Sequence, residues 1–222
     1  MTRSGLSYAV LRYCQSCRIF VMTNYSGIQN IMNSFLMLCV LFLMSMGISV
    51  AGDAPHSGDK ANILWTQILR HRVTYIQDGT HGPVIYDVQD PNCPYCHVLY
   101  ENEIPLIESG KLTVRYIPVA LLTPGSQGEA AAWLQAPHPL FALQHFENIV
   151  GDAFRSENTT TLPTVTASAS TRIKLHDNLL IIRSLGVTGT PAIIYRTEHG
   201  RIKIIMGLIS RHRLVSMLPY LK

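Results

Sequence analysis

Two cysteines two residues apart, in Cys93-Pro94-Tyr95-Cys96, are the side chains of this 222-residue sequence with the clearest capacity for chemistry. A thiol pair at this spacing can close and reopen a disulfide, exchanging it with a second pair of thiols through thiolate attack. That chemistry needs one thiol to be ionised near neutral pH, which depends on the elements around it. Pro83-Val84-Ile85-Tyr86-Asp87-Val88 reads as a short apolar strand, Asp90-Pro91-Asn92 as a turn, and Val98, Leu99, Glu101 and Glu103 as part of a following helix. A strand–turn–Cys-x-x-Cys–helix unit puts Cys93 at a helix N-terminus, where free N–H groups and the helix dipole favour a thiolate. Pro94 falls at the first helical position, where its fixed φ helps and its missing N–H costs nothing. Cys93 is the expected nucleophile, exposed and of low pKa, and Cys96 the buried resolving thiol.

Three other readings use the same residues. A structural disulfide here closes a tiny loop and removes little unfolded-state entropy. Zinc held by Cys93, Cys96 and His97 lacks the second Cys/His pair of a structural site, and no cysteine follows residue 96. Chance pairing is the third. Exchange chemistry is the expected use, with no metal and no other cofactor. His97, four residues after Cys93, either shares its helical face and helps hold the thiolate or faces solvent. Tyr95 is expected on the rim facing a substrate, and Trp133 and Phe141 in helix cores.

The elements that must position this pair follow in order. Ala61–Arg70 has helical spacing in Leu64, Trp65, Ile68 and Leu69. Val73–Ile76 and Val84–Val88 read as strands joined by a Gly79–Pro83 turn region. The helix after Cys96 is expected to stop or kink at Pro105, and Leu112–Leu121 is rich in β-branched residues, as a strand requires. Ser126-Gln127-Gly128-Glu129 fits a capping box opening a helix over Ala130–Gln135. Pro137 and Pro139 break the pattern before Leu140–Ile149 resumes it. Ser156–Ser170 reads as a loop. Arg172–Leu185 reads as an amphipathic helix ended by Gly186. Ala192–Tyr195 and Ile202–Met206 form a strand pair around Glu198-His199-Gly200, and Ser210–Leu221 a closing helix. The class is α/β: a thioredoxin fold with a helical subdomain inserted at about residues 124–186.

Before residue 52 the sequence does not read as a folded domain. Phe35–Val50 is an almost unbroken apolar stretch ending in Ser49-Val50-Ala51, the pattern of a signal-peptide core and small-x-small cleavage site. It is short for a membrane-spanning helix; an uncleaved inner-membrane anchor is the alternative. Residues 1–51 are thus read as leader, 52–71 as a lead-in with a possible linker helix, and 72–222 as the folded domain. Cys14-Gln15-Ser16-Cys17 lies upstream of the export segment and is read as leader without chemistry. After such a cleavage Cys93 and Cys96 are the only cysteines left, so an exported chain would be using one disulfide as a reagent rather than several as staples. The remainder has 15 basic and 14 acidic residues, which offers no basic stripe for nucleic acid.

Asp90-Pro91-Asn92-Cys93-Pro94-Tyr95-Cys96, Ile117-Pro118-Val119-Ala120 and Thr190-Pro191-Ala192-Ile193-Ile194-Tyr195 resemble the periplasmic thiol:disulfide proteins DsbC and DsbG. Pro-Tyr between the cysteines and the run from Pro191 to Tyr195 favour the DsbG side; His97 is closer to DsbC. The resemblance covers about residues 72–222. It implies a cis Thr190–Pro191 bond beside the cysteines, with Pro94, Tyr95, Thr190 and Pro191 contacting substrate. It also implies a periplasmic isomerase or reductase for exported cysteine-containing proteins, kept reduced by a DsbD-like membrane reductase. Family members dimerise through an N-terminal domain, for which few residues precede Val73, so a monomer is expected. A chaperone-like or envelope-assembly binding module on the same fold is the rival expectation.

Overall fold

A computed structural model describes residues 57–156 and 161–222; the leader, the second Cys-x-x-Cys and the apolar export segment lie outside the described residues. Among the described residues no helix is long and apolar enough to cross a membrane. The described residues open with α1 (Ser57–Ile63), which continues as a π-helical turn over Leu64–Leu69. Strand β1 is Ile76–Asp78 and β2 is Val84–Gln89. Helix α2 (Pro94–Glu108) leads to β3 (Thr113–Pro118). Three helices come next: α3 (Ser126–Leu134), α4 (Pro139–Ser156) and α5 (Ala169–Ser184). A hairpin of β4 (Ala192–Arg196) and β5 (Ile202–Met206) and a last helix α6 (Arg211–Met217), with a 3₁₀ turn at Leu218–Tyr220, complete the domain.

The five strands lie in the order β1-β3-β2-β4-β5, with β2 and β3 parallel and the other pairs antiparallel. A parallel pair needs a crossover, and α2 supplies it. Strand β2 is central, and beyond Val84 it is buried on both faces. Its alternation sends Ile85 into one core with Leu99, Ile107, Val114, Tyr116, Phe146 and Ile193. Tyr86 and Val88 enter the opposite core with Leu69, Ile117, Ile182, Val187 and Ile194. Helices α2, α4 and α6 therefore cover the first face, and the N-terminal helical segment and α5 the second. This is the α/β thioredoxin fold with its helical insertion, as the order of elements predicted.

Several boundaries differ from expectation for identifiable reasons. Pro105 does not end α2, which runs on to Glu108; in the first turn of a helix a proline costs no bond, whereas here it sits mid-helix and removes one, and the packing of Leu106 and Ile107 carries the segment through. Strand β1 starts at Ile76 rather than Val73, because Thr74 N–H and C=O are both taken by the Asn178 side chain (2.8 Å each) instead of a ladder. Ser126 caps nothing at Glu129: its hydroxyl donates to Asp90 (2.7 Å), and the cap position is Gly125. Trp133 is core, packed edge-on against Phe146 at 5.0 Å, whereas Phe141 is 69% exposed and stacks on His145. Two glycines are structural necessities. Gly82 turns into β2 at φ +78°, where a Cβ would lie 2.5 Å from the Lys111 backbone; Gly186, at φ +84°, ends α5.

Candidate active site

Cys93 is the N-cap of α2, in extended conformation, with Pro94 as the first helical residue. Its sulfur accepts a hydrogen bond from the Cys96 backbone N–H at 3.3 Å, one of the donors a helix start leaves unpaired. Both cysteines are free thiols. The Cys93 thiol is pushed down to about 6. The main cause is the hydrogen bond from the Cys96 thiol, helped by the Thr190 hydroxyl and the backbone N–H groups of Cys96 and Tyr95 against the opposing cost of burial. Cys96 moves the other way: burial first, then its hydrogen bond to Cys93 and the nearby Asp87 carboxyl, raise its pKa far above the ordinary thiol value. The pair is thus split toward a thiolate at Cys93 and a thiol at Cys96 near neutrality.

Exposure is where the expectation fails. Cys93 is only 5% exposed, against 2% for Cys96. A sulfur that caps a helix is turned inward onto N–H groups, and the Thr190 hydroxyl lies beside it, buried and without an oxygen or nitrogen partner. Pro94 and Tyr95 form the open rim, Tyr95 at 62% exposure. The Thr190–Pro191 bond is cis and immediately precedes β4, with Pro191 buried. Its carbonyl accepts from Gly207 N–H at 2.8 Å, tying that loop to the end of β5. The structure therefore brings Cys93, Cys96 and Thr190 together at the C-terminal ends of β2 and α5's following loop.

His97 is buried at 5%, not on the surface. One ring nitrogen, Nδ1, lies 2.7 Å from Glu147 of α4 and the other, Nε2, 3.4 Å from Glu101 one turn on. Burial raises the pKa of Glu147, and His97 partly offsets it. The ring sits at the wall of a groove of about 590 Å³ between α2 and α4, shared with Glu101, Gln144, Arg155 and Arg211. Among the described residues no group of three or more His, Cys, Asp or Glu side chains could hold a metal ion.

Read from sequence, Asp87 lies in a strand and Asp90 in a turn, and neither has a role at the site. Asp90 is 1% exposed and receives bonds from the backbone N–H of Asn92 (2.9 Å), Leu121 (2.6 Å) and Leu122 (3.0 Å) as well as Ser126 Oγ. Asn92 also donates to Ser126 and Glu129 of α3, so the turn before Cys93 is pinned to the inserted helices. Asp87 is fully buried; Gln89 Nε2 donates to its Oδ2 at 2.7 Å, and burial raises its pKa well above the carboxylate range. The signal was present in the strand itself: a carboxylate at an inward position of an apolar run, two residues after Ile85. Such a buried carboxyl next to a high-pKa thiol can take the proton that Cys96 must lose before it attacks a disulfide.

A family model described as a thioredoxin-like domain matches residues 73–222. The chain is similar to the thiol:disulfide interchange protein DsbG of Pseudomonas aeruginosa, at 33% identity over 160 residues, 71% of this chain and 59% of that protein. It is also similar to DsbG of Escherichia coli, at 29% identity over 125 residues, 56% of this chain and 48% of that one. The chain thus spans about half the length of the curated relatives it matches. Among solved structures, the catalytic domain of ScsC from Proteus mirabilis has a TM-score of 0.52 at 21% identity, covering 72% of this chain and 96% of that one. The thiol-disulfide exchange protein α-DsbA2 from Wolbachia pipientis has a TM-score of 0.52 at 16% identity, covering 73% and 94%. These two share the fold.

Proposed function

Because the chain belongs to the thioredoxin-like family, with DsbG proteins as curated relatives, we propose that it is a periplasmic thiol:disulfide oxidoreductase of the isomerase or reductase type. The observation that carries the reading is the opposed pKa of the two cysteines, Cys93 down to about 6 and Cys96 far up. The Cys93 thiolate attacks a substrate disulfide, forming a Cys93 mixed disulfide and expelling the other substrate sulfur as a thiolate. Cys96, losing its proton to Asp87, then attacks the Cys93 sulfur; the Cys93–Cys96 disulfide forms and the substrate leaves reduced. An isomerase cycle ends differently, with a second substrate thiol resolving the mixed disulfide and the enzyme unchanged. Pro94, Tyr95, Thr190 and Pro191 are the substrate-contacting residues in this reading, with exported cysteine-containing proteins as substrates and a DsbD-like membrane reductase restoring the dithiol. His97 is a modulator through the helix carrying the cysteines.

Trapping tests it. Cys96→Ala is expected to accumulate substrate proteins covalently bound at Cys93, released by reductant, while Cys93→Ser traps none and exchanges no disulfide with glutathione. Suppression of client aggregation that survives in Cys93→Ser, with no thiol exchange in the unaltered protein, would instead establish the chaperone-like binding module.

A further inference from the structure

The core beneath the cysteines contains a second fully buried carboxyl that the exchange reaction as written leaves unused. Glu103 follows Cys96 by seven residues, so both project from the same face of α2, the face that also buries Leu99, Tyr100 and Ile107. That face lies on the sheet where Asp87 of β2 pairs in register with Tyr116 of β3. Glu103, Asp87 and Tyr116 are each 0% exposed. Asp87 Oδ1, both Glu103 oxygens, Tyr116 Oη and Gln89 Oε1 are all buried without a hydrogen-bond partner.

Every ionisable or charged group facing this layer is acidic, a thiol or a phenol, apart from one histidine. Strand β1 contributes Asp78, bound by Gln144 of α4; β2 contributes Asp87 and β3 Tyr116. Helix α2 contributes Cys96, Tyr100 and Glu103, with Cys93 at its cap, and α4 contributes Glu147, which is paired with His97. Strand β4 and α6 present Ile193 and Leu214. No lysine or arginine is buried among the described residues. Two carboxylates buried in one such layer cannot both be ionised, since each buried charge costs several kcal/mol unless paired. Burial raises both; the Asp87 charge raises Glu103 further, while Glu147 and the Cys93 thiolate raise Asp87. Two neutral acids, on the other hand, would leave Cys96 without a base.

We propose that Glu103 and Asp87 form a carboxyl pair holding one proton between them, with Asp87 the ionised member that accepts the Cys96 proton and Glu103 the protonated one. The asymmetry follows from their donors. Asp87 receives the Gln89 amide at 2.7 Å, whereas Glu103 has only the Tyr116 hydroxyl beside it and no bond of ordinary geometry. In the exchange step Cys96–SH and Asp87–COO⁻ become Cys96–S⁻ and Asp87–COOH. Cys96–S⁻ then displaces the substrate thiolate from Cys93, and Glu103 keeps its proton throughout. Glu103 acts through Asp87 and touches no reacting atom: once it ionises, its charge raises the proton affinity of Asp87 and Cys96 and slows resolution. Such a pair titrates in two steps that belong to both groups together. This inference rests on the proposed exchange activity for its kinetic half only.

Infrared spectroscopy of the reduced full chain tests the pair independently of activity. A protonated-carboxyl C=O band is expected at pH 7, lost in Glu103→Gln and kept in Asp87→Asn. In Tyr116→Phe it should shift in frequency as the neighbouring hydroxyl dipole is removed, which serves if Glu103→Gln does not fold. Absence of the band at pH 7 in the unaltered protein, or its survival in Glu103→Gln, overturns the proposal. For kinetics, the glutathione adduct of Cys93 is formed and its resolution by Cys96 followed against pH. The unaltered protein is expected to show two steps, Glu103→Gln only the acidic one, and Asp87→Asn at least a tenfold loss near neutrality. Two steps in Glu103→Gln overturn the proposal. An unaltered protein that never resolves its adduct overturns the exchange reading, while the infrared band still decides the pair.

Discussion

Cys93 owes its acidity to three kinds of donor: a neighbouring thiol, a hydroxyl and two backbone N–H groups. They can be removed one at a time. Cys96→Ala deletes the largest contribution, so ultraviolet thiolate absorbance should place Cys93 above 6 in that variant yet still below the free value of about 8.5. Thr190→Val should raise it by a smaller amount. Titration at or above the free value in both the unaltered protein and Cys96→Ala would end the assignment of Cys93 as nucleophile. The same shift has a stability consequence. A thiol whose folded pKa lies below its unfolded one adds stability that is fully present above the unfolded pKa and lost as pH falls through the folded pKa of about 6. Cys96, held protonated by burial, works in the opposite direction only above about 8.5, where the unfolded thiol ionises. The reduced protein should therefore gain stability over Cys93→Ala between about pH 6 and 8.5, read from the difference in denaturant midpoints. A flat difference over that window would contradict the thiolate.

At the scale of elements, two side chains fasten the inserted helices to the sheet. Asp90 satisfies three backbone N–H groups and the Ser126 hydroxyl, joining the turn before α2 to the entry of α3. Asp90→Ala leaves those donors buried and unpaired, and about 3 kcal/mol of stability should be lost in chemical denaturation. Asn178 of α5 bonds Thr74 N–H and C=O and the Pro118 carbonyl, across more than a hundred residues in one case. Asn178→Ala should cost about 2–3 kcal/mol and loosen the approach to β1, visible as faster amide exchange at Thr74. A loss below 1 kcal/mol in either variant would mean that water or local rearrangement replaces these bonds. Local pattern revealed the strands β2, β4 and β5 and the helix starting at Pro94, because short apolar runs and a helical spacing can be read along the chain itself. It could not reveal the long-range Asp90 and Asn178 connections, whose partners are 31 to 104 residues away. The Ser126 motif misled for the same reason: a capping serine was taken by a distant carboxylate.

For the molecule as a whole, the paired motifs around Cys93 and Thr190-Pro191 made the fold legible. The fold in turn explains why the sequence alone did not reveal how deeply the cysteines are buried. Spacing specifies which residue caps a helix, while burial of that cap depends on a loop almost a hundred residues further on. The acidic layer under Cys96 was hidden likewise, since it is assembled from β2, β3 and α2 only when the sheet closes. This arrangement bears on the reduction potential. Lowering the pKa of the nucleophile stabilises the dithiol form and makes the disulfide more oxidising. A thiol near 7 accompanies a potential of about −270 mV in thioredoxin, and one near 3.5 about −120 mV in the oxidant DsbA. With Cys93 at about 6, the Cys93–Cys96 disulfide should fall between these, at about −230 to −180 mV, the range of an exchange catalyst able to give up or accept a disulfide. Equilibration in glutathione buffers, with the oxidised fraction measured by alkylation, gives the value directly. A potential at or below about −270 mV would mean that the buried carboxyls cancel the effect of the Cys93 thiolate, and one near −120 mV that the protein is a dedicated oxidant rather than an isomerase or reductase.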